Sequence, residues 1–175
     1  TKNIKTVLCA EGLLTEKGNN IKNKDEKYAL GHVKDLTGFS GRWDVIAEHP
    51  TIITDVAHNE DGIKQLLEQL SIVKCATSRL HMVIGMVKDK DVSKVLSILP
   101  KDTAYYFSNA HIDRAMPHQD LKEKAKDFGL NGESYDDVND AINAARKNAA
   151  AKDIIIVCGS VFLIAEVDTD LFRNI

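Results

Sequence analysis

The run Ile154-Ile155-Ile156-Val157 constrains the fold more than any other stretch of this chain. It has no polar face, so a strand here is covered on both sides, as in a parallel sheet with helices packed above and below. Thr51–Thr54, Leu80–Val87 and Thr103–Ser108 are three earlier runs of strand character. Val45–Ala47 fits a short edge strand stopped by Pro50. Between the strands, apolar residues recur at helical spacing. Ile63, Leu66, Leu67 and Leu70 do so within Glu60–Leu70, and Val92, Val95, Leu96 and Leu99 before Pro100. Leu121, Ala125 and Phe128 do so within Gln119–Phe128, and Val138, Ala141, Ile142 and Ala145 within Asp136–Ala149. Strands alternating with helices predict a mostly parallel α/β sheet with helices on both faces. Val161–Val167 fits either a helix or a hairpin partner.

The first 37 residues differ. Thr6–Leu14 predicts a short helix, Gly18-Asn19-Asn20 a turn, and Asp25–Leu36 a second helix with Leu30, Val33 and Leu36 as a thin apolar stripe. This segment reads as a linker, the end of a preceding domain. The main domain is expected over residues 38–175. The first residue is Thr1 rather than Met, so a piece of a longer protein is expected.

Right-handed crossovers put the C-terminal ends of parallel strands on one edge, and ligands of open α/β sheets bind there. That edge is expected to collect Asp55–Asn59, Lys88–Asp91, Ser108–Arg114 and Gly159-Ser160. Thr-Ile-Ile-Thr runs straight into Asp55, His58 and Asn59, and a helix follows. A carboxylate there can hold a ribose hydroxyl, His58 a phosphate oxygen, and Asn59 a ligand; a helix cap and a surface histidine are the plainer alternative. Arg42, between Gly41 and Trp43, offers a planar fork for phosphate; alone it reads more readily as a solvated arginine. Lys88 and Lys90 can steer phosphates, while Asp89 or Asp91 more simply caps the next helix. Arg114 shares a loop with His111 and Asp113, a weak metal pattern. Ser160 can place a hydroxyl at a helix start, although the tight turn needs Gly159 anyway.

The net charge of −3 leaves no basic field for nucleic acid, and no apolar run reaches the roughly 20 residues that span a membrane. Cys9, Cys75 and Cys158 form no zinc spacing and suggest no disulfide framework, so a reducing, cytoplasmic location is expected. Cys158 reads as buried rather than nucleophilic. GxxxxGK[ST], GxGxxG and GxSxG do not occur in the sequence. A nucleotide site here would therefore be half a site.

Gly41-Arg42-Trp43, Asp55-Val56-Ala57-His58-Asn59, Gly85 with Asp89-Lys90-Asp91, Arg114-Ala115 and Val157-Cys158-Gly159-Ser160 occur in an order and spacing that resemble the C-terminal domain of folylpolyglutamate synthase/dihydrofolate synthase, of the Mur ligase superfamily. The resemblance covers about residues 38–168. It departs at Glu60, where the family commonly has proline. It implies a Rossmann-like domain of an ATP-dependent amide ligase that joins L-glutamate to folate or dihydropteroate through an acyl phosphate. By position it implies that Arg42, Asp55, His58 and Asn59 bind ATP, with His58 catalytic, and that Lys88, Arg114 and Ser160 touch substrate or phosphate. It also implies that the P-loop and the ligands for Mg2+ lie in a central domain, which is the expected partner. This chain alone is then expected to be inactive. A peptidoglycan-precursor ligase domain and a stand-alone nucleotide-binding module are the alternatives.

Overall fold

The computed structural model describes residues 2–88 and 91–173. Two compact units divide the chain, Thr1–Ser40 and Gly41–Ile175.

The first unit holds α1 (Lys2–Glu16), α2 (Asn23–Gly31) and α3 (Val33–Thr37). The single helix expected over 25–36 is thus two helices. The break falls at His32, whose backbone leaves the helical region at φ −127° and ψ 30°. Its ring Nδ1–H donates to the Tyr28 carbonyl at 2.8 Å, and the two rings stack with centroids 4.1 Å apart. Gly31, a poor helix former, precedes the break.

The second unit is built on a six-stranded sheet. Its strands are β1 (Asp44–Ala47), β2 (Thr51–Thr54), β3 (Leu80–Ile84), β4 (Ala104–Phe107), β5 (Gly132–Ser134) and β6 (Ile154–Cys158). The order is β1-β2-β6-β3-β4-β5; β1 runs antiparallel to β2 and every other pair is parallel. The apolar run read from sequence is therefore an interior strand, β6, with β2 and β3 on its two sides.

Helices α4 (Glu60–Val73), α5 (Val92–Leu96), α6 (His118–Lys126), α7 (Val138–Asn148), α8 (Val161–Ala165) and α9 (Asp170–Arg173) complete the unit. Alternate residues of the strands feed two cores. Ile154, Ile156, Met82 and Ile84 pack with Ile63, Leu66, Val95 and Leu121 of α4, α5 and α6. Ile155, Val157 and Val83 pack with Val138, Ile142, Leu163 and Phe172 of α7, α8 and α9. Each fully buried side chain of this size contributes roughly 1.5–3 kcal/mol. The expected mostly parallel α/β sheet with helices on both faces is what forms.

Local starts follow side-chain chemistry. Asn59 Oδ1 accepts the Gly62 N–H at 2.8 Å and caps α4; Glu60 and Asp61 fill the first turn. Asp137 caps α7 in the same way. Residues 161–165 are helix, with Ser160 Oγ accepting the Phe162 N–H at 3.2 Å. The strand expected over Leu80–Val87 stops at Ile84. Beyond it, Val87 makes an antiparallel bridge with Ala115 of the loop after β4. β5 and α9 were not expected. Among the described residues no helix is long and apolar enough to cross a membrane.

Candidate functional site

The ends of β2, β6, β3 and β4 reach the same edge of the sheet, as parallel pairing requires. Backbone hydrogen bonds continue past the strands and gather the loops there. Asp55 N–H donates to the Val157 carbonyl at 2.9 Å, and Gly159 N–H to the Ala57 carbonyl at 2.8 Å. At Gly159 φ is +104°, and a Cβ there would lie 2.4 Å from the Gly85 carbonyl oxygen, so this crossing admits only glycine.

Asp55 is half-buried and fully engaged with backbone. Its Oδ2 accepts the Trp43 N–H at 2.9 Å and its Oδ1 the Ala57 N–H at 2.8 Å. The Gly41 carbonyl accepts the Val56 N–H at 2.8 Å. Gly41 and Trp43 both have positive φ, +81° and +46°. The residues flanking Arg42 are therefore tied to the β2 end, and Arg42 itself is exposed. Among the described residues its guanidinium has no hydrogen-bond or ion-pair partner. The tie between Asp55 and Trp43 has no local signal in the residues.

His58 borders two clefts. Its Nδ1–H donates to the Val56 carbonyl at 2.8 Å, which leaves Nε2 for a ligand. The central cleft, about 80 Å³, is walled by His58, Val87 and Arg114 on one side and Gly159, Ser160, Val161 and Phe162 on the other. The second, about 290 Å³, lies between the start of α4 and α5, with His58, Asn59, Glu60, Asp91, Lys94 and Val95. The structure thus brings His58, Arg114 and Ser160 together, and places Asn59 beside His58. Arg42 and Asp55 line neither cleft.

Lys88 Nζ donates to the Asp113 carbonyl at 3.0 Å. Asp89 and Lys90 lie outside the described residues. The Arg114 guanidinium stands over the Phe162 ring, 5.6 Å from its centroid. Phe162 was missed by sequence reading, because an apolar residue at a helix start carries no signal of a cation above it. His111 pairs with Glu166 rather than with Asp113, its Nδ1 3.0 Å from Oε2. Among the described residues no group of three or more His, Cys, Asp or Glu can hold a metal ion. Burial, with the nearby Asp55 charge, pushes the fully buried Cys158 thiol well above the usual range, so it is no nucleophile.

The arrangement offers a planar cation on a pinned loop, an imidazole with one free nitrogen, and a second cation facing a capped helix start. Such a set suits an anionic ligand approaching the sheet edge.

Known proteins resemble this chain in sequence and fold. The chain is 34% identical over 129 residues to dihydrofolate synthase/folylpolyglutamate synthase of Buchnera aphidicola subsp. Schizaphis graminum, covering 73% of this chain and 30% of that protein. It superposes on the bifunctional folylpolyglutamate synthase/dihydrofolate synthase of Yersinia pestis c092, complexed with AMPPNP and Mn ion, with a TM-score of 0.73 at 26% identity. That match covers 93% of this chain and 37% of the other. A structure of a bifunctional folylpolyglutamate synthase/dihydrofolate synthase with Mn, AMPPNP and L-glutamate bound matches with a TM-score of 0.67 at 30% identity, over 76% of this chain and 32% of that one. The chain spans about a third of the length of these relatives. The profile of the Mur ligase, glutamate ligase domain matches residues 41–161, and the chain belongs to that family.

Proposed function

We propose that residues 38–175 are the C-terminal domain of an ATP-dependent ligase that joins L-glutamate to folate, to dihydropteroate, or to both, through an acyl phosphate. Residues 1–37 are the linker from a central P-loop domain, which supplies the phosphate cradle and the ligands for Mg2+. The observation that carries the reading is the meeting of His58, Arg114 and Ser160 in one cleft at the C-terminal edge of the sheet, in a chain whose relatives bear that activity in their names.

In this reading Arg42 contacts ATP and neutralises charge on the transferred phosphoryl group. Asp55 contributes to the ATP site both directly and by holding the loop that presents Arg42. His58 and Asn59 lie near the phosphates, and His58 Nε2 is the catalytic group. Lys88, Arg114 and Ser160 touch substrate or phosphate. Closure of this domain on the P-loop domain excludes water, which protects an acyl phosphate from hydrolysis. The reaction calls for neither nucleic acid nor membrane, and a cytoplasmic location accords with the free thiols of Cys9, Cys75 and Cys158.

The test is ADP release by this domain joined to its P-loop domain. Release that needs both L-glutamate and folate or dihydropteroate supports the proposal. Release with a peptidoglycan precursor and not with a folate overturns it. The chain by itself should release none.

A further inference from the structure

The two walls of the central cleft come from different parts of the chain. One is the antiparallel contact of Val87 with Ala115. It is closed by the Lys88 N–H on the Arg114 carbonyl and the Met116 N–H on the Met86 carbonyl, both at 2.9 Å. The other is the first turn of α8. Side-chain contacts of Arg114 and Glu166 cross between the walls' supports. Arg114 covers Phe162, as described above. At the far end of α8, one carboxylate takes two N–H groups of a single residue. Glu166 Oε1 accepts the His111 backbone N–H at 2.7 Å, and Glu166 Oε2 the His111 ring N–H at 3.0 Å.

We propose that Glu166 is a positioning residue, whose grip on His111 holds α8 against the loop after β4 and so sets the width of the cleft between Arg114 and Ser160. The proposal rests on the reading of that cleft as a ligand site. α8 has five residues, about 7.5 Å of helix. Its Leu163 is fully buried, so a lost grip is taken up by the loop that carries His111 and Arg114, the opposite wall of the cleft. A two-point grip by a carboxylate fixes orientation as well as distance. The cleft is small, about 80 Å³, so a shift of either wall changes what it admits.

The Glu166 main chain is anchored too. Its carbonyl accepts the Asn139 Nδ2–H at 3.0 Å, and Asn139 Oδ1 accepts the Asp168 N–H at 2.9 Å. The end of α8 is thereby fixed to α7, which gives the grip on His111 a firm base.

The grip responds to charge. Glu166 faces His111 from the end of α8, and Asp136 faces it from the segment before α7, with Nε2 and Oδ2 3.7 Å apart. Asp113 of the same loop and His118 line, with His111 and Asp136, a separate surface cleft beside it. The hydrogen bond to Glu166, then the charges of Glu166 and Asp136, hold the His111 pKa above the ordinary histidine value against the opposing effect of desolvation. The grip is therefore firmest with the ring protonated, and it loosens as pH rises through that raised value.

Arginine side-chain NMR of the full chain tests this. The Arg114 Nε–H signal, shielded by the Phe162 ring, should move in Glu166→Gln and in His111→Gln, and by no more in the double variant. In the unmodified protein it should follow the titration of His111, and in Glu166→Gln it should not. An Arg114 signal unmoved in a folded Glu166→Gln protein overturns the proposal; should that variant fail to fold, His111→Gln decides in the same way. Kinetics of the ligase separate the underlying functional reading. Glu166→Gln should raise the KM of the ligand held in the cleft, glutamate or ATP, about two- to fivefold, the size set by an exposed ion pair. A displaced Arg114 with every KM unmoved supports the positioning role and overturns the assignment of the cleft to a ligand.

Discussion

Trp43 donates its backbone N–H to Asp55 Oδ2 at 2.9 Å, across twelve positions of sequence. The bond turns a strand-end carboxylate into the anchor of the loop that presents Arg42. It gives a structural role to the aspartate that is proposed to contact ATP.

Asp55→Ala should therefore cost stability as well as turnover. Two backbone N–H groups lose a charged acceptor, at 2.9 and 2.8 Å, which is worth about 2–4 kcal/mol. Asp55→Asn keeps a neutral acceptor and should lose about half of that. Urea unfolding of the two variants measures the difference. A midpoint for Asp55→Ala equal to that of the unmodified chain would remove the anchoring role.

Arg42→Ala should behave in the opposite way. The side chain is exposed and, among the described residues, without a partner, so the unfolding midpoint should stay in place. If Arg42 has the proposed role, ligase turnover should fall by about a hundredfold or more, the usual effect of removing a group that stabilises transition-state charge. Paired unfolding and ADP-release assays check both halves.

Gly159→Ala should prevent the loops from closing over the sheet edge. Positive φ and a Cβ placed 2.4 Å from the Gly85 carbonyl oxygen act together, for a loss of at least about 3 kcal/mol. A melting curve shows it, and an unchanged midpoint would mean that the crossing of residues 85 and 159 is looser than described.

Acid should weaken the fold through His81. This buried ring meets the Tyr106 hydroxyl at 3.2 Å and Asp153 Oδ2 at 3.6 Å. Burial, together with the Arg79 charge, holds its pKa below the ordinary value of 6.5 in spite of the attraction of Asp153. A histidine with a depressed folded pKa contributes stability above its unfolded pKa, and that stability is lost as pH falls below about 6.5. Burial raises the Asp153 pKa, but the N–H groups of Arg79 and Ala150, with His81, outweigh it and the net shift is downward. Its contribution disappears only at pH values below the ordinary range for aspartate. Unfolding midpoints between about pH 7 and pH 5 should fall, and His81→Gln should flatten that slope.

Much of this was legible in the residues, for reasons that differ from place to place. β6 could be read because a run of β-branched side chains with no polar face has few other uses. The cap of α4 could be read because Asn59 acts on an N–H group only a few residues away. β5 could not. Gly132-Glu133-Ser134 is short and partly exposed, and it is a strand only because β4 offers it a partner. The same holds at the site. His58 and Ser160 were visible from their place after strands, whereas the hold of Asp55 on Trp43 and of Glu166 on His111 needs two loops to meet. The second joins positions 55 residues apart, and local spacing does not encode such a meeting.

The place of β6 between β2 and β3 has a consequence for synthesis. On the ribosome β2 and β3 emerge well before the strand that separates them, and they have no parallel partner in each other. The sheet can be completed only once residue 158 has left the exit tunnel. Until then two apolar strands wait with open edges, exposed to mispairing or to capture by chaperones. For this topology the hazardous interval is the time needed to translate from β3 to β6, and slowing that stretch with rare codons should lower the soluble yield.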